Sequence, residues 1–246
     1  MTDDVYILEL DGMQQSAVDL DDPTRLSFDY MRRIADVIDR LPPGPLRVLH
    51  VGGAAMSLPR YVHAMRPRSA QIVLEPNAQV IERVRAEAPL PQRSGIKVRP
   101  VDGASGVRAV RDGSQDVVVL DAFADALTPP ELLTVDFAAE VRRVLTAGGV
   151  LLANLVDRAP FGVVRDLVAA LTAAFGSEAP ARIAVGAEPS TLKGRRSGNL
   201  VVVAGELPDA PFGEPSPMAY RVFMGSAVRD SFGGGTARRD VPDNSC

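Results

Sequence analysis

From Leu46 onward the chain alternates two kinds of apolar pattern. Short runs rich in Val, Leu and Ile, at Leu46 to Val51, Ala70 to Leu74, Ile96 to Val101, Val117 to Leu120 and Val150 to Leu155, are separated by longer stretches of helical spacing. A run that is apolar throughout reads as a strand buried on both faces, and recurrence every three or four residues marks one buried helix face. The rhythm therefore predicts an α/β domain built on a parallel sheet with crossover helices. Two further runs, Arg182 to Val185 and Asn199 to Ala204, are expected to complete it as an antiparallel edge pair, giving a mostly parallel seven-stranded sheet.

Residues 4 to 20 alternate apolar and polar around the turn dipeptide Asp11-Gly12, which predicts an N-terminal β-hairpin. Leu26, Tyr30, Ile34, Val37, Ile38 and Leu41 mark a helix from Arg25 to Leu41, stopped by Pro42-Pro43-Gly44-Pro45. Thr128, Pro129 and Glu131 have the spacing of a capping box. Phe137, Val141, Val144 and Leu145 continue a helix that Gly148-Gly149 is expected to end, and another helix is predicted from about Phe161 to Phe175. Beyond Gly205 Pro and Gly are frequent, with an amphipathic piece from Ala219 to Phe232, then Gly233-Gly234-Gly235 and a last dozen residues expected to be mobile. The expected division is 1–45 for hairpin and helix, 46–205 for the sheet domain and 206–246 for a C-terminal extension.

Composition narrows the functional classes. With 46% hydrophobic residues in 246 the chain can build a substantial core, and a formal charge of -4 supplies no basic field for nucleic acid or an anionic membrane. A small-molecule partner is expected instead. The one cysteine, Cys246, makes no internal disulfide, and two histidines without a cysteine cluster make no zinc site, so a reducing, cytoplasmic setting and no metal are expected. The N-terminus carries acids where a secretory leader needs bases, and the apolar runs are strand-sized, so no span is expected.

Ligands of open parallel sheets bind beyond the carboxyl ends of the strands, which directs attention to four loops. Gly52 and Gly53, followed by Ala54 and Ala55, open the first, where small residues let a ligand approach the backbone; tight strand-to-helix packing without a ligand is an equal reading. Glu75 ends the second strand about twenty residues on, where a carboxylate accepts both hydroxyls of a ribose. Its other reading is a start signal for the next helix with Pro76 and Asn77. Asp102-Gly103 closes the third strand, suiting the amine of an adenine or a simple turn. Asp121 directly follows an apolar strand and would face a reacting group; Asp125, four residues on, reads as a solvated loop charge.

In order, these segments resemble the polyamine aminopropyltransferase, or spermidine synthase, family, and are nearest to its divergent spermidine synthase-like actinobacterial branch. Leu10-Asp11-Gly12-Met13-Gln14-Gln15 is similar to the family's hairpin motif, Gly52-Gly53-Ala54-Ala55 to its glycine loop, Glu75-Pro76-Asn77 to its ribose site and Asp102-Gly103 to its adenine site. Leu145-Thr146-Ala147-Gly148-Gly149-Val150 resembles its later return into the sheet. The resemblance implies a Rossmann-like class I AdoMet-dependent methyltransferase fold and a homodimer. It also implies a site for S-adenosylmethionine (AdoMet) or its decarboxylated form as co-substrate, lined by Gln15, Gly52, Gly53, Glu75, Asp102 and Gly103. Asp121 is then the catalytic carboxylate at the side of an amine acceptor.

Three departures matter. The family's loop aspartate falls on Ala55, its second strand-four aspartate on Ala124, and its Tyr-His pair on Phe28-Asp29, leaving Asp29, Asp125 or Glu131 as substitute acids. Aminopropyl transfer to a polyamine or related amine is the leading expectation. An AdoMet-dependent methyltransferase, and a nucleoside-binding or interaction protein without catalysis, are the alternatives.

Overall fold

In the computed structural model the described residues are 5–10, 13–124, 127–176, 182–212 and 220–240, with side chains described at all of these except 10 and 13–15. Strands β1 (Val5–Leu10) and β2 (Met13–Asp19) pair antiparallel as the predicted hairpin, whose Asp11-Gly12 turn lies outside the described residues. Helix α1 (Asp29–Arg40) follows.

The sheet domain runs β3 (Arg47–Val51), α2 (Ser57–Met65), β4 (Ala70–Leu74), α3 (Ala78–Glu87), β5 (Ile96–Arg99), α4 (Gly103–Arg108) and β6 (Gln115–Leu120). A 3-10 turn (Pro130–Leu133) then leads through α5 (Val135–Val144), β7 (Leu145–Asp157), α6 (Gly162–Phe175), β8 (Ile183–Ala187), α7 (Pro189–Leu192) and β9 (Gly198–Gly205). The chain continues with β10 (Arg221–Met224) and α8 (Ser226–Phe232). Strand order is β10-β8-β9-β7-β6-β3-β4-β5, with β3 to β7 parallel and β9, β8 and β10 joined antiparallel.

The sheet thus has eight strands rather than seven. The eighth is β10, from the piece whose amphipathic pattern suggested a single element; its Phe223 packs edge-on against Phe232 of α8, so strand and helix share the apolar pattern. The predicted capping box does not form. Pro129 precedes the 3-10 turn, Thr128 Oγ1 is buried without a partner, and Thr134 instead caps α5 by accepting the Phe137 amide at 3.1 Å. Gly148-Gly149 lies inside β7 rather than ahead of it, because the ladder to β6 already begins at Leu145 and takes a bulge between Gln115 and Val117.

Alternation along the central strands explains their continuous apolar runs. Leu49, Val51, Val118 and Leu120 pack toward α4, α5 and α6, whereas Val48, Val117 and Val119 pack toward α1 and α2. Each such side chain contributes about 1.5 to 3 kcal/mol by burial, so both faces favour the same register. The hairpin adds a third cluster, in which Leu8 and Val18 meet Ala55 and Met56 at the start of α2 and Val80 and Val84 of α3.

Beyond α8 the chain crosses the helical layer. Arg165 donates to the Gly233 carbonyl, Asp166 accepts the Thr236 amide, the Val135 amide donates to the Arg238 carbonyl, and Asp136 accepts the Asp240 amide. Among the described residues no helix is long and apolar enough to cross a membrane.

Candidate functional site

The order of the strands reverses between β3 and β6, and a crevice of about 360 Å³ opens there beyond the carboxyl ends of β3, β4, β5 and β6. Gly52, Gly53, Glu75, Asp102, Gly103 and Asp121 all border it. The side chain of Gln15 lies outside the described residues; its neighbour Ser16 borders the crevice.

The glycine loop is held tightly by the protein itself. Gly52 has φ +88°, donates its amide to the Leu74 carbonyl, and would place a Cβ 2.3 Å from the Asp121 carbonyl oxygen. Both the left-handed backbone and this approach require glycine. Ala54 and Met56 also take positive φ, turning the chain into α2. At Gly103 an added Cβ would meet the Val51 side chain at 2.4 Å, so packing alone excludes a side chain there.

Glu75 stitches the loop to the next helix. One carboxylate oxygen accepts the Gly53 and Ala54 amides at 3.4 and 3.3 Å, the other the Asn77 amide at 2.9 Å, while Asn77 itself caps α3. Asp102 caps α4, accepting the Ser105 amide at 2.8 Å, and that bond holds its carboxyl below the usual range. Glu75 thus joins the start of α3 through Asn77, while Asp102 caps a helix rather than closing a simple turn, and both acids stand at the wall of one crevice.

Asp121 is differently placed. Asn154 Nδ2 donates to its Oδ1 at 2.9 Å and Tyr30 Oη donates to its Oδ2 at 3.1 Å. Burial pushes its proton affinity up, and these two hydrogen bonds oppose that. Burial and the facing Asp121 charge keep Tyr30 protonated, so it remains a donor. The result is a carboxyl at a crevice wall, steadied by two neutral side chains from α1 and β7, which is what a proton acceptor for a bound amine requires.

The tyrosine at this position was not legible as such: the sequence likeness pointed to Phe28-Asp29, whereas Phe28 stacks on Tyr30 and Asp29 pairs with Arg33 at 3.6 Å. Of the substitute acids, Glu131 borders the crevice, Asp29 does not, and Asp125 lies outside the described residues. Ala54 borders the crevice beside Glu75; Ala55 is buried in the hairpin cluster. Asn154 and His50 were missed too. Their one signal was a polar residue inside an otherwise apolar strand, which burial makes costly without a specific partner.

No family model matches the chain. A polyamine aminopropyltransferase of Chromobacterium violaceum is 30% identical over 141 residues, 57% of this chain and 53% of that protein. A human eEF1A lysine and N-terminal methyltransferase is 29% identical over 142 residues, 53% of this chain and 20% of that protein. The chain therefore spans about half the length, or less, of these relatives. The crystal structure of a probable spermidine synthase from Corynebacterium glutamicum superposes with a TM-score of 0.84 at 28% identity, covering 99% of this chain and 91% of that one. The chain is thus similar over its length to a probable spermidine synthase and over about half of it to a polyamine aminopropyltransferase, and it has the class I methyltransferase-like fold.

Proposed function

We propose that this protein is a spermidine synthase-like transferase that moves an aminopropyl group from decarboxylated AdoMet to an amine. The adenosine is held over Gly52 and Gly53, with Glu75 at its ribose and Asp102 and Gly103 at its base; the family likeness adds Gln15 as a nucleoside ligand. Family likeness also carries a homodimer.

The observation that supports this reading best is the charge of the crevice. Glu75, Asp102, Asp121 and Glu131 border it, and among the described residues no Lys or Arg side chain does. A sulfonium bearing a free amine, together with a cationic acceptor, matches such a wall, whereas the carboxylate of AdoMet itself meets no cation there. In the reaction the acceptor nitrogen forms a bond to the propyl carbon next to sulfur. The carbon–sulfur bond breaks, its electron pair returns to sulfur as methylthioadenosine, and the nitrogen's surplus proton passes to Asp121.

Incubation with decarboxylated AdoMet and putrescine is expected to release methylthioadenosine. An Asp121→Asn variant is expected to lose about 10²- to 10⁴-fold in turnover, the usual contribution of a positioned base. Undiminished turnover by that variant removes Asp121 from the chemistry. Methyl transfer from AdoMet is the second reading, favoured by the methyltransferase relative and by alanine at both 54 and 55. Calorimetry separates them: preference for decarboxylated AdoMet supports the first, equal or reversed preference the second.

A further inference from the structure

His50 lies in β3, two residues before Gly52, and is 1% exposed, yet it borders the crevice beside Tyr30, Ser16 and Ser57. A chain of hydrogen bonds fixes the state of its ring. Gln71 Nε2 donates to the Pro59 carbonyl at 2.9 Å, which leaves Gln71 Oε1 as the atom 2.9 Å from His50 Nε2. An amide oxygen only accepts, so Nε2 carries the ring hydrogen and Nδ1 keeps a free lone pair. Burial lowers the pKa of the ring to about 4, the Gln71 bond opposing it, so the imidazole is neutral near pH 7.

Nδ1 has no hydrogen-bond partner among the described residues. The neighbouring hydroxyls are engaged elsewhere: Ser16 and Ser57 bond each other at 2.9 Å, and Tyr30 is committed to Asp121. The ionisable side chains sharing this end of the crevice are Tyr30 from α1 and Asp121 after β6; β4 presents the uncharged Gln71, and α2 presents Ser57. His50 borders the crevice, and an acceptor there without a protein donor is a position that a ligand satisfies.

We infer that His50 is a binding residue of the crevice, its Nδ1 accepting a hydrogen bond from an ammonium group on the tail of the bound nucleoside. An ammonium has three donors and no acceptor, so it needs a ring nitrogen that carries no hydrogen; burial keeps the ring neutral and the Gln71 bond places its one hydrogen on Nε2. With Ala54 and Ala55 in the adjoining loop, this neutral acceptor takes the place of a loop carboxylate. The inference rests on the nucleoside reading above.

The test compares binding of decarboxylated AdoMet and of AdoMet, both carrying a tail ammonium, with binding of methylthioadenosine, which has neither that group nor the sulfonium charge. His50→Phe keeps the ring volume without an acceptor. His50→Asn keeps an acceptor three bonds from Cα, as Nδ1 is. By calorimetry His50→Phe is expected to weaken the ammonium-bearing nucleosides roughly ten- to hundred-fold, leaving methylthioadenosine unchanged, with His50→Asn close to wild type. Because all three proteins meet the same sulfonium, that charge cancels in the comparison. In the wild-type protein the ¹⁵N resonance of Nδ1 is expected to move on adding decarboxylated AdoMet and to stay still with methylthioadenosine. Equal weakening of all three ligands, or none, in His50→Phe overturns the role of His50 while leaving the transferase reading intact. Failure of the wild type to bind any of the three overturns both.

Discussion

Three polar side chains inside apolar strands or helices distinguish this crevice from a packed sheet end: Tyr30 and His50 border it, and Asn154 holds Asp121. Asn154 is 1% exposed and its Oδ1 has no partner, while its Nδ2 holds Asp121. Such an arrangement favours the ionised carboxyl at the expense of an unpaired acceptor. In Asn154→Leu the burial of Asp121 remains and one opposing hydrogen bond goes, so its pKa rises further. The acidic limb of kcat/KM against pH is then expected to move to higher pH, with activity at neutral pH down by about ten-fold. An unmoved limb would reduce Asn154 to a packing role. His50 gives a prediction for stability. Its pKa falls from 6.5 in the unfolded chain to about 4 in the fold, so between those values the unfolded state binds more protons and acidification destabilises the protein. Relative to wild type, His50→Phe is expected to flatten the fall in stability below pH 6.5 by up to roughly 1.4 kcal/mol per pH unit, measured by urea unfolding as a function of pH.

At the scale of elements, boundaries were decided by local hydrogen bonds that compete with one another. Two threonines ahead of α5 illustrate it. Thr134 caps the helix, whereas the side chain of Thr128 is buried and unpaired despite the capping-box spacing to Glu131. Thr134→Ala is therefore expected to cost about 1 kcal/mol, and Thr128→Val to be neutral or stabilising, since it exchanges an unsatisfied hydroxyl for a methyl group. Thermal unfolding of the two variants checks this; a larger loss at 128 than at 134 would reverse the assignment. The strands were more legible than the helix starts. A run such as Val117 to Leu120 has only one way to be buried on both faces, but a threonine followed by proline can cap, turn or pack.

For the whole molecule, the C-terminal stretch crosses α5 and α6 and reaches Arg108 of α4, the helix that Asp102 caps. Asp136 is one of its two acidic anchors, accepting the Asp240 amide at 2.8 Å and pairing with Arg239 at 3.2 Å, as Asp166 does with the Thr236 amide and Arg238. Asp136→Ala is expected to cost about 1 kcal/mol or less, because these charges are largely exposed. It is also expected to speed proteolysis after Arg238 and Arg239, which a trypsin time course reads directly; unchanged cleavage would mean the remaining bonds hold the stretch alone.

Periodicity and turn chemistry by themselves determined the sheet, its parallel centre, the hairpin and four of the strand ends that border the crevice, because these depend on patterns repeated over many residues. Residue order along the chain likewise placed Gly52, Glu75, Asp102 and Asp121 at successive strand ends. Only the tertiary structure decided that Tyr30 and Asn154, 91 and 33 residues from Asp121, hold that carboxyl, that Gln71 sets the tautomer of His50, that Ala55 belongs to the hairpin core, and that β10 extends the sheet. The first three are single hydrogen bonds between residues distant in the chain, which leave no period in the sequence; the last two depend on which distant elements come to pack or pair, which a local pattern does not specify.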